Sequence, residues 1–234
     1  MASLPLQVEH VNVSIHAKTI LHDISFRLKR GEVLALVGHN GAGKSTLMKT
    51  IMHVTEKQAG KITIEDTYDQ DTHLLAFKKR ITYLPEEPLL LSELTVMQHF
   101  ELYALSYDMD EDEFQLKLDQ YVTGFGLRTK LDAYPEELSK GMRQKVQTIC
   151  AFLPDVPVML IDEPFMGLDI YAMEFLLMLL EEKVKQGLSV VLTTHQLEQV
   201  KNVAHTFMLL EDGKVKNTGD IADFQTITRG VHDD

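Results

Sequence analysis

A glycine-rich segment at residues 38–45 has the composition of a phosphate-binding loop. Its sequence is GHNGAGKS, which matches the pattern G-x-x-x-x-G-K-[ST]. Glycines let backbone amides curl around phosphate oxygens, and a helix that begins after the loop adds the positive end of its dipole. In this pattern the Lys44 ammonium reaches the β- and γ-phosphates and the Ser45 hydroxyl ligates Mg²⁺. The loop alone leaves kinases, GTPases and many ATPases open.

Two adjacent carboxylates, Asp162 and Glu163, follow the apolar run VMLI at residues 158–161. The run predicts a buried strand, and open α/β sheets bind ligands at the carboxyl ends of their strands. We expect Asp162 to hold Mg²⁺, usually through water. We expect Glu163 to face the γ-phosphate as general base or water-positioning residue. On its own such a pair is more often a surface feature, but after a phosphate loop it favours nucleotide hydrolysis.

The elements around these two motifs alternate between strands and helices. The apolar run at residues 33–37 leads directly into the phosphate loop and predicts a strand covered on both faces, with a helix beginning near Lys44. The alternation after Pro154 argues for a parallel sheet and an α/β fold. Further strands are expected at residues 8–15, 20–28, 62–65, 81–84, 158–161, 189–193, 206–210 and 214–217. Further helices are expected at residues 74–79 and 171–185.

Residues 95–152, in the middle of the chain, have sequence patterns that predict helices only. Thr95 and Gln98 fit a capping box at the start of a helix that runs to about Ser106. The acidic run at residues 108–113 favours the positive end of a second helix, and a third is expected at residues 139–152. Residues 95–152 are therefore expected to form a helical insertion in a β-rich frame.

Composition excludes several classes of protein. The chain has 234 residues, with 23 Lys and Arg against 35 Asp and Glu, and a formal net charge of −12. This balance removes the basic footprint that dominates nucleic-acid affinity, so no nucleic-acid partner is expected. The first ten residues lack the pattern of a secretory signal, and no apolar stretch approaches the roughly 18 residues of a membrane span. A single cysteine, Cys150, agrees with a reducing compartment.

Three further motifs give the chain a resemblance to ATP-binding cassette (ABC) proteins. Residues 138–144, LSKGMRQ, are similar to the LSGGQ signature of that family and lie shortly before the strand that ends in the two carboxylates. Residues 166–169, MGLD, resemble its D-loop, and His195 resembles its switch histidine. Five ordered motifs at family-like intervals are far more specific than any one of them, and the resemblance covers essentially the whole chain.

The resemblance implies a P-loop NTPase of the ABC ATPase class, with a RecA-like core, an antiparallel β flank and a helical signature subdomain. We expect a single domain over residues 1–234. It would comprise a catalytic α/β lobe at residues 1–86 and 153–234 and a helical lobe at about 87–152. In this family two cassettes meet head to tail and sandwich each ATP between one chain's phosphate loop and the other's signature. ATP and Mg²⁺ are the cofactors implied, with ATP-dependent closure of a homodimer or of a heterodimer with a second nucleotide-binding subunit.

Within the family the chain looks most like the ATPase subunit of bacterial Ecs-type exporters. The similarity lies in PEEP at residues 85–88, SKGM at residues 139–142 and CAFL at residues 150–153. It implies an integral membrane permease subunit as partner and a cytoplasmic location at the inner face of the membrane. Leu89, Leu90, Leu91 and Leu94 follow the Q-loop, where the family receives a coupling helix, although they equally suit the core of the helical lobe.

The expected site residues combine the motifs with the resemblance, which places Glu86 at the Q-loop and Ile15 at the adenine-stacking position. This chain departs from the family pattern at both of these positions, and also at Lys140 and Met142 in the signature. The catalytic residues expected are Glu163, His195 and Lys44, and the metal ligands are Ser45, Glu86 and Asp162. The nucleotide-binding residues expected are Gly38, His39, Asn40, Gly41, Ala42, Gly43, Lys44, Ser45, Thr46, Ile15, Ser139, Gly141 and Asp169.

Two other functions stay open at this level. One is a cassette ATPase that acts on a soluble assembly, although such proteins often carry two cassettes or a coiled-coil insertion. The other is a regulatory module that barely hydrolyses ATP, which the departures at Ile15, Glu86 and Met142 make plausible.

Overall fold

The computed structural model describes residues 3–194 and 201–224. Within them lie ten strands and six α-helices. The strands are β1 Leu6–Ile15, β2 Lys18–Leu28, β3 Val33–Val37, β4 Ala59–Ile64, β5 Tyr68–Asp69, β6 Ile81–Leu84, β7 Val158–Asp162, β8 Ser189–Thr193, β9 Thr206–Glu211 and β10 Lys214–Asp220. The helices are α1 Lys44–Ile51, α2 Leu74–Lys78, α3 Val96–Ser106, α4 Glu111–Gly124, α5 Lys140–Phe152 and α6 Ile170–Lys185.

The larger sheet carries the strands that lead into the phosphate loop and into the acidic pair. Its strand order is β10-β9-β3-β8-β7-β6, and all neighbours are parallel except the β9–β10 hairpin. Strands β7 and β8 are buried along their whole length, as their continuous apolar runs predict. The expected parallel α/β sheet is confirmed. Thr193 at the end of β8 pairs with Leu36 of β3 on one side and with Asp162 of β7 on the other. The end of β3, which leads into the phosphate loop, and the end of β7, which carries the acidic pair, therefore lie on either side of Thr193.

The smaller sheet is antiparallel, in the order β2-β1-β4-β5. Its strands β1 and β2 form the expected pair, joined by a hairpin at His16 and Ala17, both with positive φ. Strand β5 was not expected, because two residues are too short to show a periodicity.

Side-chain caps begin the helices of the middle segment. Thr95 and Gln98 form the expected capping box of α3, with each side chain accepting from the other's backbone N–H at 3.3 and 2.9 Å. Asp110 accepts from two backbone N–H groups at the start of α4. Ser139 is the N-cap of α5, so this helix begins at Lys140, one residue later than expected.

Two hydrophobic cores hold the fold together. One packs the middle helices and α6 against one face of the larger sheet, through residues such as Phe100, Phe152 and Ile161. The other joins the smaller sheet and α1 to the opposite face, through residues such as Leu6 and Leu47. The helical segment therefore packs directly on the sheet strands that carry the two motifs.

Cys150 belongs to the first core. It is 0% exposed, and burial raises the pKa of its thiol well above the ordinary value. It is therefore an inert small hydrophobe, as expected for a cysteine in an apolar helix.

The Asp155 carboxylate links helices α4 and α6. Asp155 accepts from Lys117 of α4 at 2.8 Å and from Lys183 of α6 at 2.7 Å. Lys117 also donates to Glu113 and to the carbonyl of Leu153.

None of the helices in residues 3–194 and 201–224 is long and apolar enough to cross a lipid bilayer.

Candidate functional site

The phosphate loop connects β3 to α1. Gly43 precedes the helix with a φ of +107°, in the left-handed region that strains residues with side chains. A Cβ added at Gly38 would lie 2.3 Å from the carbonyl oxygen of Leu210. Lys44 is 8% exposed and donates from Nζ to the carbonyl oxygens of Gly38 at 2.7 Å and His39 at 3.2 Å. The loop thus places a buried ammonium group at the positive end of a helix, which suits a polyphosphate.

Asp162 ends β7 with its side chain 5% exposed. Its Oδ1 accepts from the Thr193 hydroxyl and its Oδ2 accepts from the Tyr83 hydroxyl at 3.4 Å. In the part of the chain described, no lysine or arginine forms an ion pair with it. Burial raises the pKa of Tyr83, and the charge of Asp162 raises it further, so Tyr83 stays a neutral donor. Among the described residues two hydroxyl groups, and no cation, offset this buried carboxylate, so it is a suitable ligand for a hard divalent cation such as Mg²⁺.

Glu163 adopts a positive φ of 47°, which is unusual for a residue with a side chain. Its backbone N–H donates to the carbonyl oxygen of Thr193 at 3.1 Å and to the Thr193 hydroxyl at 3.2 Å. Such conformations cost about 1–3 kcal/mol and persist where the surroundings hold them, often at functional sites. Thr193 therefore fixes the direction in which the chain leaves β7 and carries the Glu163 carboxylate.

These motifs share one cleft of about 670 Å³, within the usual size of a small-molecule site. Part of the phosphate loop and the start of α1 form one part of the wall, and the acidic end of β7 and the Q-loop position form another. The lining residues are Ile20, Asn40, Gly41, Gly43, Lys44, Ser45, Thr46, Glu86, Asp162, Glu163 and Met166. The cleft therefore combines phosphate-binding groups with metal-ligating carboxylates.

Not every expected residue lies in this cleft. Ile15 is 40% exposed at the β1–β2 hairpin, and the aliphatic side chain at the cleft wall is that of Ile20. Gly38, His39 and Ala42 belong to the phosphate loop but do not line the cleft. His195 lies outside the described residues.

The signature residues are outside the cleft too, at the start of α5. The Ser139 hydroxyl accepts from the backbone N–H of Met142 at 3.2 Å. Gly141 meets the D-loop so closely that an added Cβ would lie 2.4 Å from the carbonyl oxygen of Gly167. Lys140 donates to Glu87 at 2.7 Å. The signature of this chain therefore contacts its own D-loop and the residue after its Q-loop position.

Asp169 ends the D-loop and caps α6. Its Oδ1 accepts from the backbone N–H of Ala172 at 3.0 Å, and its Oδ2 pairs with Lys145 at 2.6 Å. The hydrogen bond from Lys145 lowers the pKa of Asp169, and the one from Ala172 adds to the effect. Within this chain Asp169 links the D-loop to the signature helix.

Sequence reasoning missed Thr193 and Tyr83. Both are polar side chains on the strands that flank β7, and both contact Asp162. A threonine at the end of a strand next to the acidic strand is a weak signal of such a contact, because the register between strands is needed to see it.

Comparison with known proteins agrees with this geometry. Residues 21–166 match the family model described as "ABC transporter". The "ABC-type transporter ATP-binding protein EcsA" of Bacillus subtilis (strain 168) is 34% identical over 94% of this chain and 89% of its own length. The "SkfA peptide export ATP-binding protein SkfE" of the same organism is 30% identical over 90% of this chain and 87% of its own length. Other relatives are named for import.

A solved structure shows the same fold. The protein described as "ATP binding subunit of ABC transporter" superposes with a TM-score of 0.91 at 36% identity, over 99% of this chain and 95% of the other. With the family match, this likeness confirms the expected ABC ATPase fold. The chain belongs to the ABC transporter family as an ATP-binding subunit, and it is an ATPase.

Proposed function

We propose that this ATPase closes a dimer when it binds ATP and opens it after hydrolysis, and that this cycle drives export through a separate membrane subunit. The observation that supports the proposal is the division of the motifs. Lys44 and the two carboxylates share one cleft, whereas Ser139 and Gly141 lie outside it. In the proposed dimer, the signature residues of a second chain complete the cleft.

In the proposed site, the phosphate loop binds the triphosphate through its backbone amides and Lys44. Ser45, Asp162 and Glu86 would hold Mg²⁺, which neutralises charge on the β- and γ-phosphates when bound. Glu163 orients a water molecule or accepts its proton. His195 is proposed as a γ-phosphate sensor. Glu86 adds negative charge beside the phosphates, which a glutamine would not.

In the proposed dimer, the signature of one chain faces the ATP bound by the other. Ser139 offers a hydroxyl, Gly141 a closely approaching amide, and α5 the positive end of its dipole. Asp169 lies next to this surface. Lys140 and Met142 replace residues of the family signature. Ser139 and Gly141, which contact phosphate in the proposed dimer, are retained. We therefore expect turnover.

The membrane partner is proposed to dock on residues 87–91, called here the docking segment. Leu89 is 73% exposed and Leu91 is 51% exposed, whereas Leu90 packs partly against the first core. An apolar pair on an exposed loop next to the cleft suits the apolar side of a partner's helix. The docking segment would mark the boundary between a helical lobe at about 87–152 and a catalytic lobe made of the rest. It would place the chain at the inner face of the membrane.

Dimer closure is tested by size-exclusion chromatography of Glu163→Gln with and without ATP and Mg²⁺. The substitution keeps the shape of the side chain but removes the base, so ATP should accumulate unhydrolysed and shift the variant to a dimer. Turnover by the parent should exceed that of the variant by at least about 100-fold. A variant that binds ATP and stays monomeric would contradict the closure proposal, and a parent without turnover would favour the regulatory module.

Docking is tested by Leu91→Asp, with Leu116→Asp as the matched control. Leu116 is equally a surface leucine, 74% exposed, but it lies on α4 away from the cleft. We expect Leu91→Asp to abolish stimulation of hydrolysis by the membrane subunit and to leave basal hydrolysis intact, whereas Leu116→Asp changes neither. Equal stimulation of both variants would contradict docking at this segment.

A further inference from the structure

We propose that Gln147 is a positioning residue that fastens the docking segment to the signature helix α5, so that the two respond together to ATP. This inference rests on the proposed function, because it assigns a route between the docking segment and the surface that closes on ATP.

The contacts of Gln147 use both ends of its side-chain amide. The residue is 2% exposed and lies in the middle of α5. Its Oε1 accepts from the backbone N–H of Leu89 at 3.0 Å, and its Nε2 donates to the Tyr103 hydroxyl at 3.3 Å. The Leu89 N–H bonds to a buried acceptor on α5, and this partly buried hydrogen bond holds the docking segment against the helix.

A second contact joins the same two elements. Lys140, seven residues before Gln147 and therefore on the same face of α5, pairs with Glu87 at 2.7 Å. Both side chains are at least half exposed, so solvent screens this ion pair and it contributes less than the partly buried hydrogen bond of Gln147. The docking segment is thus attached to the signature helix at two residues, Glu87 and Leu89.

The N-terminal half of α5 also meets the D-loop. Gly141 is in contact with the carbonyl group of Gly167, as described above, and Lys145 pairs with Asp169. An α-helix moves as a rigid unit over such a length, because its core residues are closely packed. A displacement of the docking segment therefore reaches the signature and the D-loop through Gln147. In the opposite direction, closure on ATP reaches the docking segment.

Hydrogen–deuterium exchange on the chain itself tests this route. In the Glu163→Gln background, exchange of peptides from the docking segment and from the start of α5 is measured with and without ATP and Mg²⁺. Gln147→Met removes both hydrogen bonds at nearly constant volume. Tyr103→Phe removes only the bond to Nε2 and is the control. Gln147→Glu is the rescue variant, since a carboxylate accepts from both Leu89 and the Tyr103 hydroxyl.

We expect Gln147→Met to speed exchange at Leu89 without ATP by about tenfold. ATP should still protect the start of α5, while the response of the docking segment falls by at least half. Tyr103→Phe and Gln147→Glu should keep both responses, and thermal melting checks that all variants fold. An undiminished response of the docking segment in Gln147→Met, with the response of α5 retained, would overturn this inference alone. Absence of any ATP response at α5 in the Glu163→Gln background would overturn dimer closure and this inference with it.

Discussion

The hydroxyl of Thr193 donates a hydrogen bond to the Asp162 carboxylate across two neighbouring parallel strands. The same hydroxyl accepts from the backbone N–H of Glu163. One side chain on β8 thereby orients both the proposed metal ligand and the proposed base.

Thr193→Val should impair the metal site more than the fold. Valine has the shape of threonine without the hydroxyl, so Asp162 loses a buried donor and Glu163 loses an acceptor. Because hydrogen bonds to charged groups contribute about 1.5–3 kcal/mol, we expect half-maximal hydrolysis to need at least about tenfold more Mg²⁺. Thr193→Ser keeps the hydroxyl and should stay within about threefold of the parent. Titration of Mg²⁺ at saturating ATP measures the effect, and equal Mg²⁺ dependence of the two variants would refute it.

Gly141→Ala should weaken ATP-dependent dimerisation. The new methyl group would lie 2.4 Å from the Gly167 carbonyl oxygen, which is backbone, so the signature and the D-loop must move apart. We expect the dimer of Glu163→Gln to dissociate at least about tenfold more readily when Gly141→Ala is added, as for other overpacked contacts. Sedimentation of the double variant with ATP measures this. Binding of ATP to the monomer is the internal check and should be unchanged, since Gly141 does not line the cleft.

Ile15→Tyr tests whether this position meets the base. An aromatic ring adds about 0.5–1.5 kcal/mol of stacking, so ATP should bind roughly three- to tenfold more tightly if the base lies over Ile15. Ile15→Leu is the matched aliphatic control and should bind ATP like the parent. Affinity for inorganic tripolyphosphate, which has no base, should be the same in all three. Equal ATP affinity of the tyrosine and leucine variants would place the base elsewhere, with Ile20 as the next residue to substitute.

Asp155→Asn should lower stability in a pH-dependent way. Burial alone would raise the pKa of Asp155, but hydrogen bonds from Lys117 and Lys183, with their charges, lower it below its ordinary value. A carboxyl group whose pKa is lower in the folded chain stabilises the fold above the pKa of the unfolded chain. That contribution is lost as the pH falls through the folded pKa. Its side chain is 63% exposed, so we expect a loss of about 1 kcal/mol at pH 7.

Urea unfolding at two pH values measures this contribution. The difference between parent and Asp155→Asn should shrink as the solution is acidified below about pH 4, where the unfolded carboxyl takes up its proton. Glu181→Gln is the control, because its pair with Lys185 on α6 is long, at 3.8 Å, and solvent-exposed. It should change the free energy of unfolding by less than about 0.5 kcal/mol. A pH-independent loss in Asp155→Asn would show that packing, not charge, is responsible.

Local signals predicted much of the fold. The run before the phosphate loop, the Thr95 capping box and the patterns of the strands expected at residues 206–210 and 214–217 each act over a few residues, and each has its counterpart in the structure. Strand β5 could not be predicted, because its pairing with β4 is set by tertiary contacts rather than by its own two residues.

The candidate site was predictable where its chemistry is consecutive in sequence. The phosphate loop and the pair at Asp162 and Glu163 fall in this class. Thr193, Tyr83 and Gln147 do not, because their partners lie 30 to 79 positions away in the sequence and depend on strand register and helix packing. The assignment of Ile15 came from the family resemblance; Ile20 lines the cleft, and the stacking role of Ile15 stays a prediction. The catalytic and binding roles of the individual residues stay predictions.

The burial of Cys150 makes the chain ready for spectroscopy in its native form. A thiol with no exposed surface and a raised pKa reacts slowly with maleimides and methanethiosulfonates, because the reactive species is the thiolate. A cysteine introduced on the surface, for example at Leu116, would therefore be the only site to take a dye or spin label under mild conditions. Distances between two such labels can test the proposed opening and closing of paired cassettes without any prior removal of a native cysteine.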